Sequence, residues 1–311
     1  MKMYIFIINP ISGSGKALKV WDKIKQELEK KKVEYRSFFT KYPGHASEIA
    51  QQVAELHQEK LEAIVAVGGD GTIHEVFNGL TNYTALPVGY IPAGSGNDFA
   101  RGFSIPLSPL KALQFLLKRK GKGGRKIDIG RYQFSNRKKE SMKSFINGLG
   151  IGFDADVAKA TNESRYKDWL NKIQLGRLAY FIMAIKLLFS YKTQEISVEV
   201  DGQSFVYSNV WLIAICNSPF LGGGMNITPQ AKVNDGKLHL CVLHDVSKWK
   251  LLALFATVFL GKHTRFKGVI LHEGRHIEVT SSTSCTVHAD GELIGTTPIT
   301  VTVEKQSRKI C

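Results

Sequence analysis

The sequence predicts an α/β N-terminal domain, an open sheet with helices on both faces, followed by a β-rich, sandwich-like C-terminal domain. Three observations carry this. Up to about residue 117, short apolar runs rich in β-branched residues alternate with stretches of helical spacing, the pattern of a sheet flanked by helices. Two of those runs break into glycine-rich turns that open helices, as strand-to-helix turns of such sheets do. Beyond a basic, glycine-rich stretch at 118–126, segments instead alternate apolar and polar residues, as antiparallel strands do. The chain's 311 residues suffice for two domains of ordinary size. The division is expected at 1–126 and 127–311, with the last few residues packing back on the first domain.

Each element has its own signal. Met1 to Pro10 opens with an apolar stretch too short for a signal peptide and without a small-residue cleavage site, so it reads as the first buried strand. Ala17, Val20, Trp21, Ile24 and Leu28 keep helical spacing. Val33 to Phe39 reads as a strand, and Ile49, Val53 and Leu56 mark the next helix. Ala63 to Val67 and Val88 to Pro92 are the two strands that lead into glycine turns, the first followed by helix-compatible Ile73 to Asn78. Lys118 to Lys126 reads as a linker or exposed hairpin. Strands are then expected over Ile127–Phe134, Ser144–Leu149, Glu195–Val200, Phe205–Cys216, Lys237–Leu243, His276–Thr280 and Ile299–Val303, with helical excursions near 156–191 and 247–260.

Two of these later segments bear on membranes. Leu251 to Gly261 is about half the ~20 apolar residues a spanning helix needs. Leu178 to Phe189 has apolar residues at 178, 181, 182, 185, 188 and 189, one face of an amphipathic helix. No transmembrane span is expected. Core packing is one use of these faces and contact with a lipid surface is the other.

Composition narrows the partners. The formal net charge of +15 favours polyanions: nucleotides, nucleic acid or an anionic membrane surface. No zinc-finger spacing, RNA-binding aromatic signature or basic zipper is visible, so nucleic acid is not expected. Cys216, Cys241, Cys285 and Cys311 are far apart and form no CxxC, which fits reduced thiols in the cytoplasm. His272-Glu273-Gly274-Arg275-His276 has the letters of HExxH, but the segment reads as strand, so the two histidines would not share a helical face and no zinc site is expected; there is no Gly-x-Ser-x-Gly elbow.

The chemistry is concentrated in the glycine turns. Gly68-Gly69-Asp70-Gly71-Thr72 places three glycines and an acid between a buried strand and a helix. Glycine lets the backbone take unusual conformations and lets a ligand come close. Free N–H groups at the start of the helix favour an anion, most often phosphate. Gly94-Ser95-Gly96-Asn97-Asp98 repeats the arrangement. Asp70 and Asp98 are therefore candidate magnesium-linked carboxylates of a phosphoryl-transfer site, with Asp98 also able to serve its own turn. Asn9, Pro10, Ser12 and Gly13 end the first strand and could join the cradle. Ser14-Gly15-Lys16 imitates a Walker A loop but fails it, with proline at 10 and alanine at 17.

GGDGT followed by GSGNDFAR resembles the catalytic domain shared by soluble bacterial diacylglycerol kinases and sphingosine kinases. The turn GGDGT alone also occurs in NAD kinases and phosphofructokinases; the pair is the specific signal. The resemblance extends through Asn9 to Gly13, Thr40 with Gly44-His45-Ala46, Asp235-Gly236 and Asp290-Gly291-Glu292, so it covers nearly the whole chain. Ser95 stands where many relatives have threonine, and the hydroxyl is kept. The resemblance implies a lipid kinase that uses ATP and Mg2+ on a lipid alcohol such as diacylglycerol, working as a peripheral protein at an anionic membrane, and it allows a homodimer.

By the same resemblance, Thr40 and Ser95 add hydroxyl contacts to the nucleotide beside Gly68, Gly69, Gly71, Thr72, Gly94, Gly96 and Asn97. The Asp290-Gly291-Glu292 turn turns an acid toward the reacting hydroxyl, with Glu292 the first choice for general base and Asp290 the second. Asp235, with the carbonyls of Lys232 and Lys237, corresponds to a structural metal turn; the residues themselves equally fit an ordinary turn. Two other functions are compatible with parts of the pattern: an NAD kinase-like enzyme, which shares the first turn, and a lipid- or nucleotide-binding regulator without activity.

Overall fold

A computed structural model describes residues 2–135, 142–163 and 176–311, without the side chains of 162 and 176–181. The chain forms two compact units, Met1–Ile127 with Gln306–Cys311, and Asp128–Lys305.

The first unit alternates strand and helix: β1 (Met3–Ile8), α1 (Lys16–Lys30), β2 (Tyr35–Phe39), α2 (His45–His57), β3 (Leu61–Gly68), α3 (Asp70–Gly79), β4 (Val88–Pro92), α4 (Asp98–Gly102) and α5 (Pro109–Leu117). The strands are parallel in the order β2-β1-β3-β4. Tyr4 to Ile8 and Ala63 to Val67 are buried throughout, as parallel strands covered on both faces must be. Helix α1 packs with α5, and α2 with α3, giving a helical layer on each face. The spacing read for α1 holds at every position: Ala17, Val20, Trp21, Ile24 and Leu28 are its buried residues. Leu56 does not follow its expectation. It is exposed, because α2 buries a face made of Ala46, Ile49, Ala50, Val53 and Ala54 and ends one residue after Leu56.

The 118–126 stretch is a turn off α5 rather than an independent linker. Gly121, Gly123 and Gly124 take positive φ there. Arg125 then donates to Phe103 O at 2.6 Å, and Arg119 lies over the Phe115 ring at 4.4 Å, so two of its cations have local partners.

The second unit is β-rich. It takes over β5 (Arg125–Phe134) after its start and continues with β6 (Lys143–Phe145), β7 (Gly148–Gly152), α6 (Phe153–Glu163), α7 (Gly176–Leu188), β8 (Gln194–Val200), β9 (Gln203–Cys216), β10 (Phe220–Leu221) and β11 (Met225–Asn226). Next come β12 (Leu238–His244), α8 (Lys248–Val258), β13 (Val269–Gly274), β14 (His276–Ser281), β15 (Thr286–Ala289), β16 (Glu292–Thr296) and β17 (Ile299–Ile310), whose last residues belong to the first unit. Its pairings of β7, β8, β9 and β12 to β16 are antiparallel. Alternation along β9 shows how it is built. Ile213 and Ile215 enter one apolar core shared with β12, β14 and β17, while Ala214 and Cys216 enter a second core with α7 and α8; Trp211 joins that second core across a register shift in the pairing with β12.

Three expectations change here. The single strand read over Ser144–Leu149 is two strands, broken at Ile146-Asn147, because the amides of Ile146, Asn147 and Gly148 bond to the Asp290 carboxylate instead of a ladder. The strand read over Ile299–Val303 runs on to Ile310. The amphipathic face read on 178–189 is divided: Leu188 is buried, whereas Ile182, Ile185 and Phe189 are exposed. Leu178 and Phe181 of that reading, and residues 164–175 of the first helical excursion, lie outside the described residues or side chains.

Candidate functional site

In the first unit, the parallel register brings all the predicted turns to the carboxyl end of the sheet, where open α/β sheets bind ligands. Asn9 N bonds to Val67 O, Thr40 N to Ile8 O, and Ala93 N to Gly68 O, so the strand ends stand side by side. Asn9 Nδ2 then reaches the Thr72 hydroxyl at 3.1 Å, tying the first strand to the GGDGT turn.

The glycines divide between two duties. A Cβ on Gly94 would stand 2.4 Å from the Gly69 Cα, and one on Gly13 would stand 2.3 Å from Ala93 O. These three glycines let the turns press together. Gly71 is different: a Cβ there would meet nothing within 4 Å, so it borders open space. Ser95 is exposed, Thr40 is buried beside β1, and Ser12 Oγ faces Gly69.

Asp70 links the two motifs directly. It opens α3, and its Oδ1 accepts the backbone N–H of Phe99 at the start of α4 at 2.9 Å. Asn97 folds its own turn, accepting Gly94 N and donating to Gly94 O. The Tyr90 hydroxyl lies 3.0 Å from both Gly68 O and Asn97 Oδ1. Burial, then the charges of Asp70 and Asp98, pushes its pKa well above the usual phenol value. Two carboxylates thus share a small region beside an open anion-favouring turn. Phosphate charge added there needs a cation to offset it.

In the second unit, Asp290 and Gly291 form a two-residue hairpin between β15 and β16, both at positive φ. The Asp290 carboxylate accepts Ile146 N at 2.7 Å, Asn147 N at 2.9 Å and Gly148 N at 3.1 Å. Its oxygens are therefore engaged in closing a loop. Glu292, two residues on, is exposed. Tyr132 feels this turn: burial first, then the Glu292 and Asp290 charges, pushes its pKa up to about 12.

Behind the hairpin lies a buried pair. His288 Nε2 is 3.2 Å from Asp154 Oδ2, and Gly291 N donates to His288 Nδ1 at 3.3 Å. That donation makes Nδ1 the acceptor, so Nε2 carries the proton and faces the carboxylate. A Cβ on Gly150 would stand 2.0 Å from Asp154 Oδ2, so only glycine leaves room for the pair.

The proposed metal turn has partners of its own. Asp235 Oδ1 accepts Lys237 N at 3.0 Å, and Oδ2 lies 3.2 Å from His239 Nε2. Among the described residues no group of three or more His, Cys, Asp and Glu side chains is placed to hold a metal ion. The turn is pinned by Asp128, fully buried, which accepts Gly236 N and donates its own N–H to Val233 O. Asn217 donates to Asp128 O and Ile146 O. Asp128, Asp154, Asn217 and His288 escaped the sequence reading. For Asp128 the signal was a lone acid among apolar neighbours in Ile127-Asp128-Ile129.

Comparison with known proteins agrees with this architecture. Residues 3–132 match the model of the diacylglycerol kinase catalytic domain, and residues 148–310 match the YegS C-terminal NAD kinase beta sandwich-like domain. The chain is 35% identical over 301 residues to "Putative lipid kinase YtlR" of Bacillus subtilis (strain 168), covering 96% of both chains. It is 30% identical to the diacylglycerol kinase of the same organism, covering 96% of this chain and 92% of that one. A solved diacylglycerol kinase from Bacillus anthracis str. Sterne shares the fold, with a TM-score of 0.70 at 19% identity over 99% of this chain and 96% of that one. Yeast NADH kinase shares it more distantly, with a TM-score of 0.53 at 12% identity over 99% of this chain and 82% of that one. The chain belongs to the bacterial diacylglycerol kinase and lipid kinase family.

Proposed function

We propose that the protein is an ATP-dependent lipid kinase that phosphorylates the hydroxyl of diacylglycerol or a similar lipid alcohol at a membrane surface. The observation that carries this most is the bond from Phe99 N to Asp70, which joins both signature turns around a carboxylate beside the open edge at Gly71. ATP is the donor, cradled by Asn9 to Gly13, Gly68 to Thr72 and Gly94 to Asn97, with Thr40 at the neighbouring strand end. Asp70 and Asp98 fit Mg2+, which would offset the phosphate charge when bound. Glu292 is the general base: its side chain is exposed, whereas the Asp290 oxygens hold three backbone amides. The lipid oxygen bonds to the γ-phosphorus, the bond to the β-phosphate oxygen breaks, ADP leaves, and the hydroxyl proton passes to Glu292.

A screen of acceptors in mixed micelles with ATP and magnesium tests the reading. Phosphate should appear on a diacylglycerol or related lipid alcohol and not on NAD. Transfer to NAD alone would favour the NAD kinase-like alternative. No transfer to any acceptor, with ATP still bound, would favour a regulator.

The Asp235 turn is the proposed structural cation site, with the Lys232 and Lys237 carbonyls as companions. A cation there competes with His239 for Oδ2. Magnesium should raise the melting temperature of the wild type more than that of Asp235→Asn, which keeps only the Asp70 and Asp98 site; an equal rise in both removes the Asp235 site.

A further inference from the structure

Helices α7 and α8 bury one side and leave the other bare. Ala184, Leu188, Leu251 and Leu254 share an apolar core with Trp211. Ile182, Ile185 and Phe189 on and just after one helix, and Trp249, Phe259 and Leu260 on and after the other, are exposed; Trp249 is 72% exposed and Leu260 69%. The Phe189 and Trp249 rings meet edge to face with centroids 6.0 Å apart, and Lys248 Nζ donates to Phe189 O at 2.7 Å. The end of α7 and the start of α8 thus form one continuous surface. Grouped exposure of large apolar side chains on this scale marks an interaction site.

The segments that carry it are basic, with the acids Glu195 and Asp245 at their outer limits. The stretches 182–194 and 246–268 hold seven Lys and Arg and no Asp or Glu. Lys248 bonds to Phe189 O, and Lys186, Lys192, Lys250, Lys262, Arg265 and Lys267 are exposed. This combination selects the occupant. A second copy docking through the same face would set these cations against one another, since a two-fold interface repeats one patch on both sides. Nucleic acid would leave the protruding Trp and Leu side chains without apolar partners. A bilayer interface satisfies both features: aromatic rings sit at the headgroup level, apolar side chains enter the acyl boundary, and lysines meet anionic headgroups.

We infer that this face of α7 and α8 docks the protein on an anionic lipid bilayer, with Trp249 at the headgroup boundary. The inference rests on the lipid-kinase reading for its purpose, and on the residues above for its location. Among the described residues no helix is long and apolar enough to cross a membrane, so this is contact in the interface plane.

The full chain should be mixed with vesicles of phosphatidylglycerol and phosphatidylcholine, with brominated acyl chains in one set. Tryptophan fluorescence should be quenched by the brominated lipid, and Trp249→Phe should remove that quenching. Trp249→Ser with Leu260→Ser should lower vesicle partition by at least about tenfold with an unchanged melting temperature, because both side chains are exposed. Lys250→Glu with Lys262→Glu should do the same, each cation near an anionic leaflet contributing about fivefold. Neutral vesicles should bind poorly, and binding should fall with salt as exposed charges are screened beyond ~10 Å at 0.1 M. The inference is overturned if Trp249→Phe remains quenched, if the double variants partition like the wild type, or if Trp249→Ser only dissociates a dimer. Phosphorylation of a short-chain, water-soluble diacylglycerol separates the two readings. Its loss with Trp249 quenching intact counts against the kinase alone. Its persistence in a wild type that shows no Trp249 quenching counts against the docking face alone.

Discussion

Asp70→Asn should reduce turnover by about 10²–10³-fold, the scale of losing one preorganised electrostatic group, while the fold persists. Phe99 N donates to Asp70 Oδ1 at 2.9 Å, and an asparagine oxygen can accept the same bond. The substitution therefore removes charge and keeps the link between the two glycine turns. Asp70→Ala removes both, and a lost hydrogen bond to a charged group costs about 1.5–3 kcal/mol, so its melting temperature should also fall. Steady-state rates with ATP and a lipid acceptor, set beside melting curves, read the two effects separately. An Asp70→Asn protein that keeps more than about a tenth of wild-type activity at unchanged stability would show that charge at this position is not needed; a tenfold loss is only about 1.4 kcal/mol.

Glu292→Gln should lower kcat by about 10²–10⁴-fold, the range for a general base, with little change in the KM for ATP. Glutamine keeps the size and polarity but takes no proton at neutral pH. Asp290→Asn is the informative companion. Its carboxylate receives three backbone amides, so asparagine must turn an NH2 group toward donors it cannot bond. That variant should lose stability, with activity falling through displacement of the hairpin. If Asp290→Asn melts normally yet is inactive, and Glu292→Gln works, the base lies two residues upstream. If both remain active, the segment is a hairpin turn and nothing more.

The sequence made the first unit legible because its signals are local. A β-branched run, a glycine turn and a 3.6-residue period each declare themselves within about a dozen residues, and α1 buried every residue its spacing marked. What it hid depends on distant partners. Nothing near Asn147 announces that Asp290 will take its amide from 143 positions away. Asp154 and His288 are 134 apart and gain meaning only when β7 lies beside β15. The glycines were seen but half their reason was not. Gly69 and Gly94 are needed because one turn's backbone touches the other's, which no single turn can reveal. The spacing over 178–189 did mark an apolar face, but not how the fold divides it: Leu188 is buried by distant strands and helix, while Ile182, Ile185 and Phe189 stay exposed.

The first unit is discontinuous. Ile310 pairs with Val88, Cys311 N bonds to Val88 O, and Arg308 reaches Thr81 O, so six residues from beyond the second unit finish the edge of the first sheet. A ribosome that has made residues 1–127 has made an α/β body with one border unsealed. That border stays open through synthesis of the whole β-rich unit, and an unpaired strand edge invites aggregation. The N-terminal body therefore cannot reach its final form first and wait. The closing step of its folding comes after residue 311 is added, and cutting the chain once, at any point between the units, yields a fragment that lacks its own seam.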